Sequence, residues 1–155
     1  MSLASPRAAV RNGAAFKIGI AAARFNEALA DSLLARVLAT LRAAGVKEKN
    51  LTVVRVPGSH EVPWAVNQLA AGRDCVIALG VLIGGDTNHH EMVGQSVSQA
   101  LQGIAVATGV PAINGVIVTD TLAQARARCA GKINRGAEFA QAALEMAALK
   151  QGGRR

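Results

Sequence analysis

Apolar residues in this chain fall into short unbroken runs separated by longer stretches with helical spacing. The run at 75–83, CVIALGVLI, has no polar alternation, which is typical of a strand buried on both faces of a sheet. Three other runs are rich in small, aliphatic and β-branched residues: 16–23 (FKIGIAAA), 51–56 (LTVVRV) and 112–118 (AINGVIV). The pattern therefore predicts four strands.

The stretches between these runs predict helices. From residue 27 to residue 44 the apolar side chains recur at helical spacing, and Gly45 follows where a helix is expected to end. Further helices are predicted at about 61–71, 88–108, 121–128 and 134–149. Strands and helices that alternate in this order form βαβ units, whose right-handed crossovers give a parallel sheet with helices on both faces.

We therefore expect one α/β domain at residues 15–150, with three layers (α/β/α) around a four-stranded parallel sheet. Residues 1–14 are predicted to be a flexible N-terminal arm that could extend the sheet by one strand. Residues 151–155 are predicted to be a disordered basic tail.

Composition narrows the class of protein. Of 155 residues, 51% are hydrophobic, but no stretch reaches the roughly 18 consecutive apolar residues of a membrane span, and no secretory leader opens the chain. The net charge of +7 suits either solubility alone or attraction of anionic ligands. Scattered basic residues without an aromatic RNA motif argue against nucleic acid. Cys75 and Cys129 show neither metal spacing nor a disulfide framework, so we expect a reducing cytoplasm.

The unusual residues converge on one edge of the predicted sheet. In open parallel sheets, ligands bind outside the carboxyl ends of the strands. The loops there are 24–26 (RFN), 57–61 (PGSHE), 84–91 (GGDTNHHE) and 119–121 (TDT). We expect all three histidines, an aromatic ring and several carboxylates at this rim rather than in the core.

The third of these loops combines features of a phosphate site. Gly84 and Gly85 allow close backbone approach to a ligand, and residues 86–88 are of types that cap helices. Amide groups at a helix start bind phosphate. His89 in the first helical turn can exchange protons near neutral pH, and Glu91 could orient it. The alternative is an ordinary helix cap with exposed histidines.

Several common site motifs are absent from the sequence. It contains no GxxxxGK[ST] for a P-loop and no GxGxxG after the first strand for dinucleotide binding. It also lacks a HExxH zinc motif and a GxSxG nucleophile elbow. A metal centre and a serine hydrolase are therefore disfavoured.

Five segments together resemble the lumazine synthase family, in matching order and spacing over about residues 16–150: KIGIAAARFNEAL, VPGSHEVPWA, ALGVLIGGDTNHHEMV, GVPAINGVIVTDTLAQA and RGAEFAQAALEMAAL. The resemblance implies a flavodoxin-like fold and the penultimate step of riboflavin biosynthesis. There, 5-amino-6-(D-ribitylamino)uracil and 3,4-dihydroxy-2-butanone 4-phosphate give 6,7-dimethyl-8-ribityllumazine, phosphate and water. It implies no cofactor or metal, and a homopentamer, or a multiple of pentamers up to an icosahedral shell, with active sites between subunits.

The resemblance also assigns roles to matching residues. Phe25 would stack on the pyrimidine, and His89 would be the catalytic histidine. The rest of the pyrimidine and ribityl site would be Ser59, His60, Glu61, Val81, Leu82, Ile83 and Asn114. The phosphate site would be Gly85, Asp86, Thr87 and Arg128.

Three features depart from the family pattern. Gly84 stands where the family usually has a basic residue, for which Lys132 or Arg135 could compensate. His90 stands where an aromatic residue is usual. The segment 132–136 is shorter than the usual loop, which favours pentamers over a shell.

Topology places Asn114 and Arg128 toward the opposite end of the sheet, so we expect a neighbouring subunit to supply them. A flavin- or lumazine-binding relative without turnover, and a purely structural assembly, remain alternative hypotheses to the enzyme.

Overall fold

Four strands and five α-helices alternate along the described part of the chain, as the apolar pattern predicts. A computed structural model of the protein describes residues 4, 6, 7 and 12–152. The strands are β1 (Ile18–Ala23), β2 (Leu51–Val56), β3 (Cys75–Ile83) and β4 (Ala112–Thr119). The helices are α1 (Glu27–Ala43), α2 (Val62–Ala70), α3 (His89–Thr108), α4 (Leu122–Cys129) and α5 (Arg135–Gly152). Single 3-10 turns cover Glu48–Asn50 and Ser59–Glu61.

The strands form one parallel sheet in the order β2-β1-β3-β4. From β1 the chain moves outward to β2 and then crosses back to β3, so the connections diverge on the two sides of the β1–β3 pair. This divergence creates the crevice in which such sheets bind ligands. Residues 75–81 of β3 are buried, which explains the unbroken apolar run. The predicted three-layer α/β fold is confirmed.

Alternate residues of β1 face two separate apolar layers. Ile18, Ile20 and Ala22 pack under α1 and α5, while Ala21 and Ala23 pack under α2 and α3. This is the period of two expected for a strand covered on both faces. Alanine on the second face lets α2 and α3 lie close to the sheet. Among residues 12–152, every helix falls short of the length or apolarity that a bilayer crossing requires.

Contacts at both ends of the domain extend beyond the predicted boundaries. Gly13 is buried and its amide donates to the Ala44 carbonyl at 2.7 Å, so residues 12–14 belong to the folded domain rather than to the arm. At the other end, α5 continues to Gly152, and the Gln151 side chain donates to the Ala15 carbonyl at 3.1 Å. The added N-terminal strand and residues 153–155 lie outside the described residues.

The amino ends of β1 and β2 border a basic cleft of about 310 Å³, lined by Lys17, Lys49, Asn50, Thr52, Gly72 and Arg73. The Arg73 guanidinium lies across this end of the sheet, donating to the Leu69 carbonyl at 2.8 Å and to Thr52 Oγ1 at 3.0 Å. Gly19 leaves room for it, because a Cβ there would lie 2.8 Å from Arg73 Cδ. Arg73 is therefore held by partners within its own chain.

Candidate active site

The loops after β1 and β2 are joined at the carboxyl rim by backbone hydrogen bonds. Arg24 N donates to the Val56 carbonyl at 2.9 Å, and Phe25 N donates to the Pro57 carbonyl at 3.0 Å. The backbone of Phe25 is thus fixed while its side chain is 72% exposed. A ring so exposed contributes little to the core of this chain.

Asn26 connects the two strands that border the crevice. Its backbone is left-handed, at φ 58° and ψ 53°, and it is the one non-glycine residue with positive φ in the described part of the chain. Its side-chain amide donates to the Val81 carbonyl at 2.8 Å. Such conformations are strained and cluster at functional sites, although asparagine tolerates them better than most residues.

Sequence reasoning placed Asn26 on the rim but gave it no role. The sequence did contain a signal for the left-handed turn, because an asparagine between a strand and a helix start often adopts this conformation. The structure shows that this residue fixes the geometry between the β1 loop and β3. The Val81 carbonyl it uses can accept a second hydrogen bond, because a carbonyl has two lone pairs.

The 57–61 loop presents one buried and two exposed side chains from the predicted site. Ser59 is only 4% exposed, and its Oγ has no hydrogen-bond partner. A Cβ at Gly80 would collide with this oxygen, so the glycine in β3 makes the space for Ser59. His60 and Glu61 are exposed in the 3-10 turn. A buried hydroxyl without a partner is a group that gains from meeting a polar ligand atom.

The loop after β3, residues 84–88, is hydrogen-bonded at its first residue and exposed at the others. Gly84 N donates to the Thr119 carbonyl at 2.8 Å, whereas residues 85–89 are all exposed. The residue types predicted a side-chain cap, but Asn88 at the cap position makes no such hydrogen bond. The nearest substitute is Thr87 Oγ1, which accepts from His89 N at 3.4 Å. The helix start consequently keeps amide donors available for an anion.

The two adjacent histidines differ sharply in environment. His89 is exposed, in the first turn of α3 at the rim. His90 is only 9% exposed, and its Nε2 lies 3.3 Å from Asp120 Oδ1 while Nδ1 is buried without a partner. His90 therefore lies at the rim, but it is buried there against the turn after β4. Successive helical residues point about 100° apart, which turns one side chain outward and the other inward.

The turn after β4 is held by several side-chain hydrogen bonds. Thr121 and Gln124 form a capping box at the start of α4, in which Gln124 N donates to Thr121 Oγ1 at 3.2 Å. Gln124 Oε1 also accepts from Asp120 N at 2.9 Å. This rigid turn leaves no room for a side chain on Gly84, because a Cβ there would lie 2.6 Å from the Asp120 carbonyl oxygen.

Asn114 and Arg128 lie away from this rim within one chain. Asn114 pairs with Ala78, whereas Thr119 at the rim pairs with Ile83, so Asn114 lies about 16 Å back along the sheet at the usual rise per residue. Its Oδ1 accepts from Val116 N at 3.1 Å on the exposed edge of β4. Arg128 is in the last turn of α4, where it donates to the Gln124 carbonyl at 3.0 Å.

One group of residues offers metal-ligand atoms within 4.8 Å of one another in the described part of the chain: His90, Glu91 and Asp120. Both carboxylates are exposed. A ligating histidine normally donates its second ring nitrogen to an acceptor, but the second nitrogen of His90 has no partner. The geometry therefore fits a metal poorly.

Comparison with known proteins identifies the family over a range that includes the whole site. A family model described as 6,7-dimethyl-8-ribityllumazine synthase matches residues 15–151. The chain belongs to the lumazine synthase family. A 6,7-dimethyl-8-ribityllumazine synthase from Halorhodospira halophila (strain DSM 244 / SL1) is 43% identical over 136 residues, which cover 86% of this chain and 87% of that relative.

Family membership and fold together confirm the resemblance drawn from the five sequence segments. The matched range contains every residue that the resemblance assigns to the site. The structure brings the β1, β2 and β3 loops of that set to one rim and leaves Asn114 and Arg128 away from it. The individual roles of these residues remain predictions.

Proposed function

We propose that the protein is a lumazine synthase, which condenses 5-amino-6-(D-ribitylamino)uracil with 3,4-dihydroxy-2-butanone 4-phosphate to give 6,7-dimethyl-8-ribityllumazine. The family match over residues 15–151 carries this proposal. The exposed ring, exposed histidine and open helix start at the carboxyl rim support it, since they supply a stacking surface, a proton carrier and an anion site.

The pyrimidine is proposed to bind in the crevice between β1 and β3. The exposed Phe25 ring would stack on the flat heterocycle, which buries apolar area that the free protein leaves in water. Polar contacts would come from Ser59, His60 and Glu61, and from the backbone of Val81, Leu82 and Ile83. Ser59 Oγ has no partner in this chain, so a ligand group could satisfy it.

The phosphate of the second substrate is proposed to bind at Gly85, Asp86 and Thr87. The amides at the start of α3 point out of the helix and favour a negative charge there. The Asp86 carboxylate is itself negative, so its contribution would be through its backbone rather than its side chain. Arg128 would add a planar pair of donors that matches phosphate geometry.

His89 is proposed to move protons during the reaction. The pyrimidine amine attacks the ketone, and loss of one water gives an imine. Removal of a proton from the adjacent carbon and departure of phosphate leave an enol, which tautomerises. Ring closure with loss of a second water completes the lumazine. No protein nucleophile is needed, so holding the substrates together supplies much of the acceleration, and His89 adds proton transfer.

The active site is proposed to lie between subunits of a homopentamer. In one chain, Asn114 and Arg128 are separated from the rim by strand register and helix direction. A neighbour that supplied them would also need to receive them from its other side, and such head-to-tail contacts end only in a closed ring. The shortened segment 132–136 favours single or paired pentamers over a shell.

The enzyme proposal is tested by mixing the purified protein with both substrates and following lumazine fluorescence. We expect product to form well above the uncatalysed rate. A protein that binds lumazine or riboflavin but gives only the background rate would instead support the non-catalytic alternative, on which no observation in the structure bears.

The shared site is tested by making mixed oligomers of His89→Ala and Arg128→Ala chains. If the two residues act across a subunit boundary, random mixing should regenerate intact sites and restore about a quarter of wild-type activity. Light scattering on each preparation gives the particle size. An active monomer, or verified mixed oligomers without recovered activity, would contradict the shared site.

We also propose a reducing, cytoplasmic location. Cys75 and Cys129 are free and buried, which suits a compartment where disulfides do not form. Burial raises the pKa of the Cys75 thiol to about 12 and also raises the pKa of Cys129. Neither thiol is therefore a nucleophile at neutral pH, and neither takes part in the proposed mechanism.

A further inference from the structure

Residues 85–89 form the proposed phosphate loop together with His89, yet they are held by very little of their own structure. All five are exposed. The hydrogen bond between His89 N and Thr87 Oγ1 is long at 3.4 Å, and the Asn88 carbonyl joins the segment to α3 by accepting from Met92 N at 3.1 Å. A segment of this kind takes its position from its two ends.

Both ends are attached to the same turn after β4. Before the loop, Gly84 N donates to the Thr119 carbonyl at 2.8 Å. After it, His90 Nε2 lies 3.3 Å from Asp120 Oδ1. Thr119 and Asp120 are consecutive, and the turn they open is fixed by the Thr121–Gln124 capping box. The loop is thus a short bridge between β3 and α3, and each of its two ends also contacts the turn after β4.

The two departures from the family pattern in this region have a common explanation in this geometry. A side chain at position 84 has no room, because its Cβ would meet the Asp120 backbone at 2.6 Å. The basic residue usual at that position is therefore replaced by close backbone contact. The Asp120 carboxylate instead faces a basic side chain at position 90, where the family usually has an aromatic ring.

The environment of the His90 ring also indicates how it makes this contact. Nδ1 is buried with no partner, so a proton on that nitrogen would be a buried donor without an acceptor, which is unfavourable. We therefore assign the tautomer with hydrogen on Nε2, in which Nε2 donates to the Asp120 carboxylate. The Glu91 carboxylate lies within 4.8 Å of the same two groups, but it is exposed and can turn to water.

We propose that His90 is a positioning residue that anchors the far end of the phosphate loop to Asp120, in place of the basic side chain that position 84 cannot hold. This inference rests on the proposed function for its effect on catalysis, but the anchoring itself is a property of the free protein. Loss of the anchor would let the loop move, and would weaken phosphate binding more than pyrimidine binding.

The test compares His90→Phe, which keeps a ring and the packing, with His90→Gln, whose amide can still donate to Asp120. In His90→Phe we expect KM for the butanone phosphate to rise about tenfold, the value of one lost hydrogen bond, with the pyrimidine KM unchanged. His90→Gln should restore most of the loss. Equal kinetics in His90→Phe and wild type would overturn the proposal.

Amide hydrogen exchange at residues 85–89 provides a readout that does not need turnover. Exchange there should accelerate in His90→Phe and in Asp120→Ala, with no further increase in the double variant, and should be unchanged in the control Gln99→Ala on the exposed face of α3. Additive effects of the two substitutions would refute the pairing. Faster exchange in a protein whose wild type makes no lumazine would leave the anchor intact and reject the proposed function.

Treatment with a chelator distinguishes a hydrogen bond between His90 and Asp120 from a metal ion that bridges them. Activity and loop exchange should be the same with and without EDTA. If EDTA accelerated exchange at residues 85–89 and Zn²⁺ reversed this, the connection between His90 and Asp120 would be a metal ion, and the proposed hydrogen-bond anchor would be wrong.

Discussion

The two ends of the sheet both carry polar side chains, but these differ in hydrogen bonding and exposure. At the amino end, the Arg73 guanidinium donates to Leu69 and Thr52, and the buried Asp74 bonds the Lys17 backbone. At the carboxyl end, Phe25 and His89 are exposed and Ser59 Oγ has no partner. Arg73 and Asp74 at the amino end are satisfied within the chain, whereas the Ser59 hydroxyl at the carboxyl end has no partner in the chain.

This difference separates stability from function. Hydrogen-bonded polar groups and close glycine contacts at the amino end stabilise the native state. Substitutions there should therefore lower the free energy of unfolding and leave KM and kcat unchanged. Unsatisfied or exposed groups at the carboxyl end contribute little to cohesion, so their removal should alter kinetics and leave unfolding alone. A basic cleft by itself is therefore weaker support for a site than an exposed ring beside a buried, unpartnered hydroxyl.

The largest effect is expected at His89. His89→Ala should lower kcat about ten- to a thousandfold without abolishing turnover, which overlaps the lower part of the roughly hundred- to ten-thousandfold range usual for general acid–base catalysis. The melting temperature should stay within about 2 °C of wild type, because the side chain is exposed. Steady-state fluorescence assays and a thermal melt check both. A wild-type kcat would show that another group moves the proton.

Arg128→Ala tests a residue that lies off the carboxyl rim in one chain. We expect KM for the butanone phosphate to rise about tenfold to a hundredfold, as for a lost hydrogen bond to a charged group, with little change for the pyrimidine. Arg126→Ala on the same helix is the control, since that side chain is exposed and has no proposed role. Equal weakening of both substrates would contradict a specific phosphate contact.

Gly19→Ala examines the amino end. The new Cβ would lie 2.8 Å from Arg73 Cδ, and displacing the guanidinium would break its bond to Thr52. We expect the free energy of unfolding, measured by urea denaturation, to fall by about 1–3 kcal/mol. KM and kcat should be unchanged. Gly103→Ala in α3 is the control, because no atom lies within 4 Å of its added Cβ. A kinetic defect in Gly19→Ala would mean that the two ends are coupled.

The smallest effect is expected at Phe25. Phe25→Ala should raise the pyrimidine dissociation constant about tenfold through lost stacking, while the melting temperature changes little because the ring is 72% exposed. Isothermal titration and a melt measure the two quantities. If the melting temperature fell by several degrees and affinity held, the ring would instead pack in an assembled interface.

The sequence by itself determined the order of strands and helices and the rim where their loops meet. Apolar periodicity and the turn residues that interrupt it are local signals, so the four strands and five α-helices of the described region could be read within a few residues. The buried run in β3 indicated a central strand for the same reason. Strand polarity then placed the loops at a common rim, because parallel strands end on the same side.

Only the tertiary structure decided which side chains on that rim are free. The same residue type stands at 89 and 90, and nothing local says that one meets Asp120, 30 residues away, while the other meets solvent. The left-handed turn at Asn26, the closed space beside Gly84 and the burial of Ser59 likewise depend on contacts with another loop or strand. Burial and pairing arise from packing between distant segments, and a residue's type and local spacing do not contain that information.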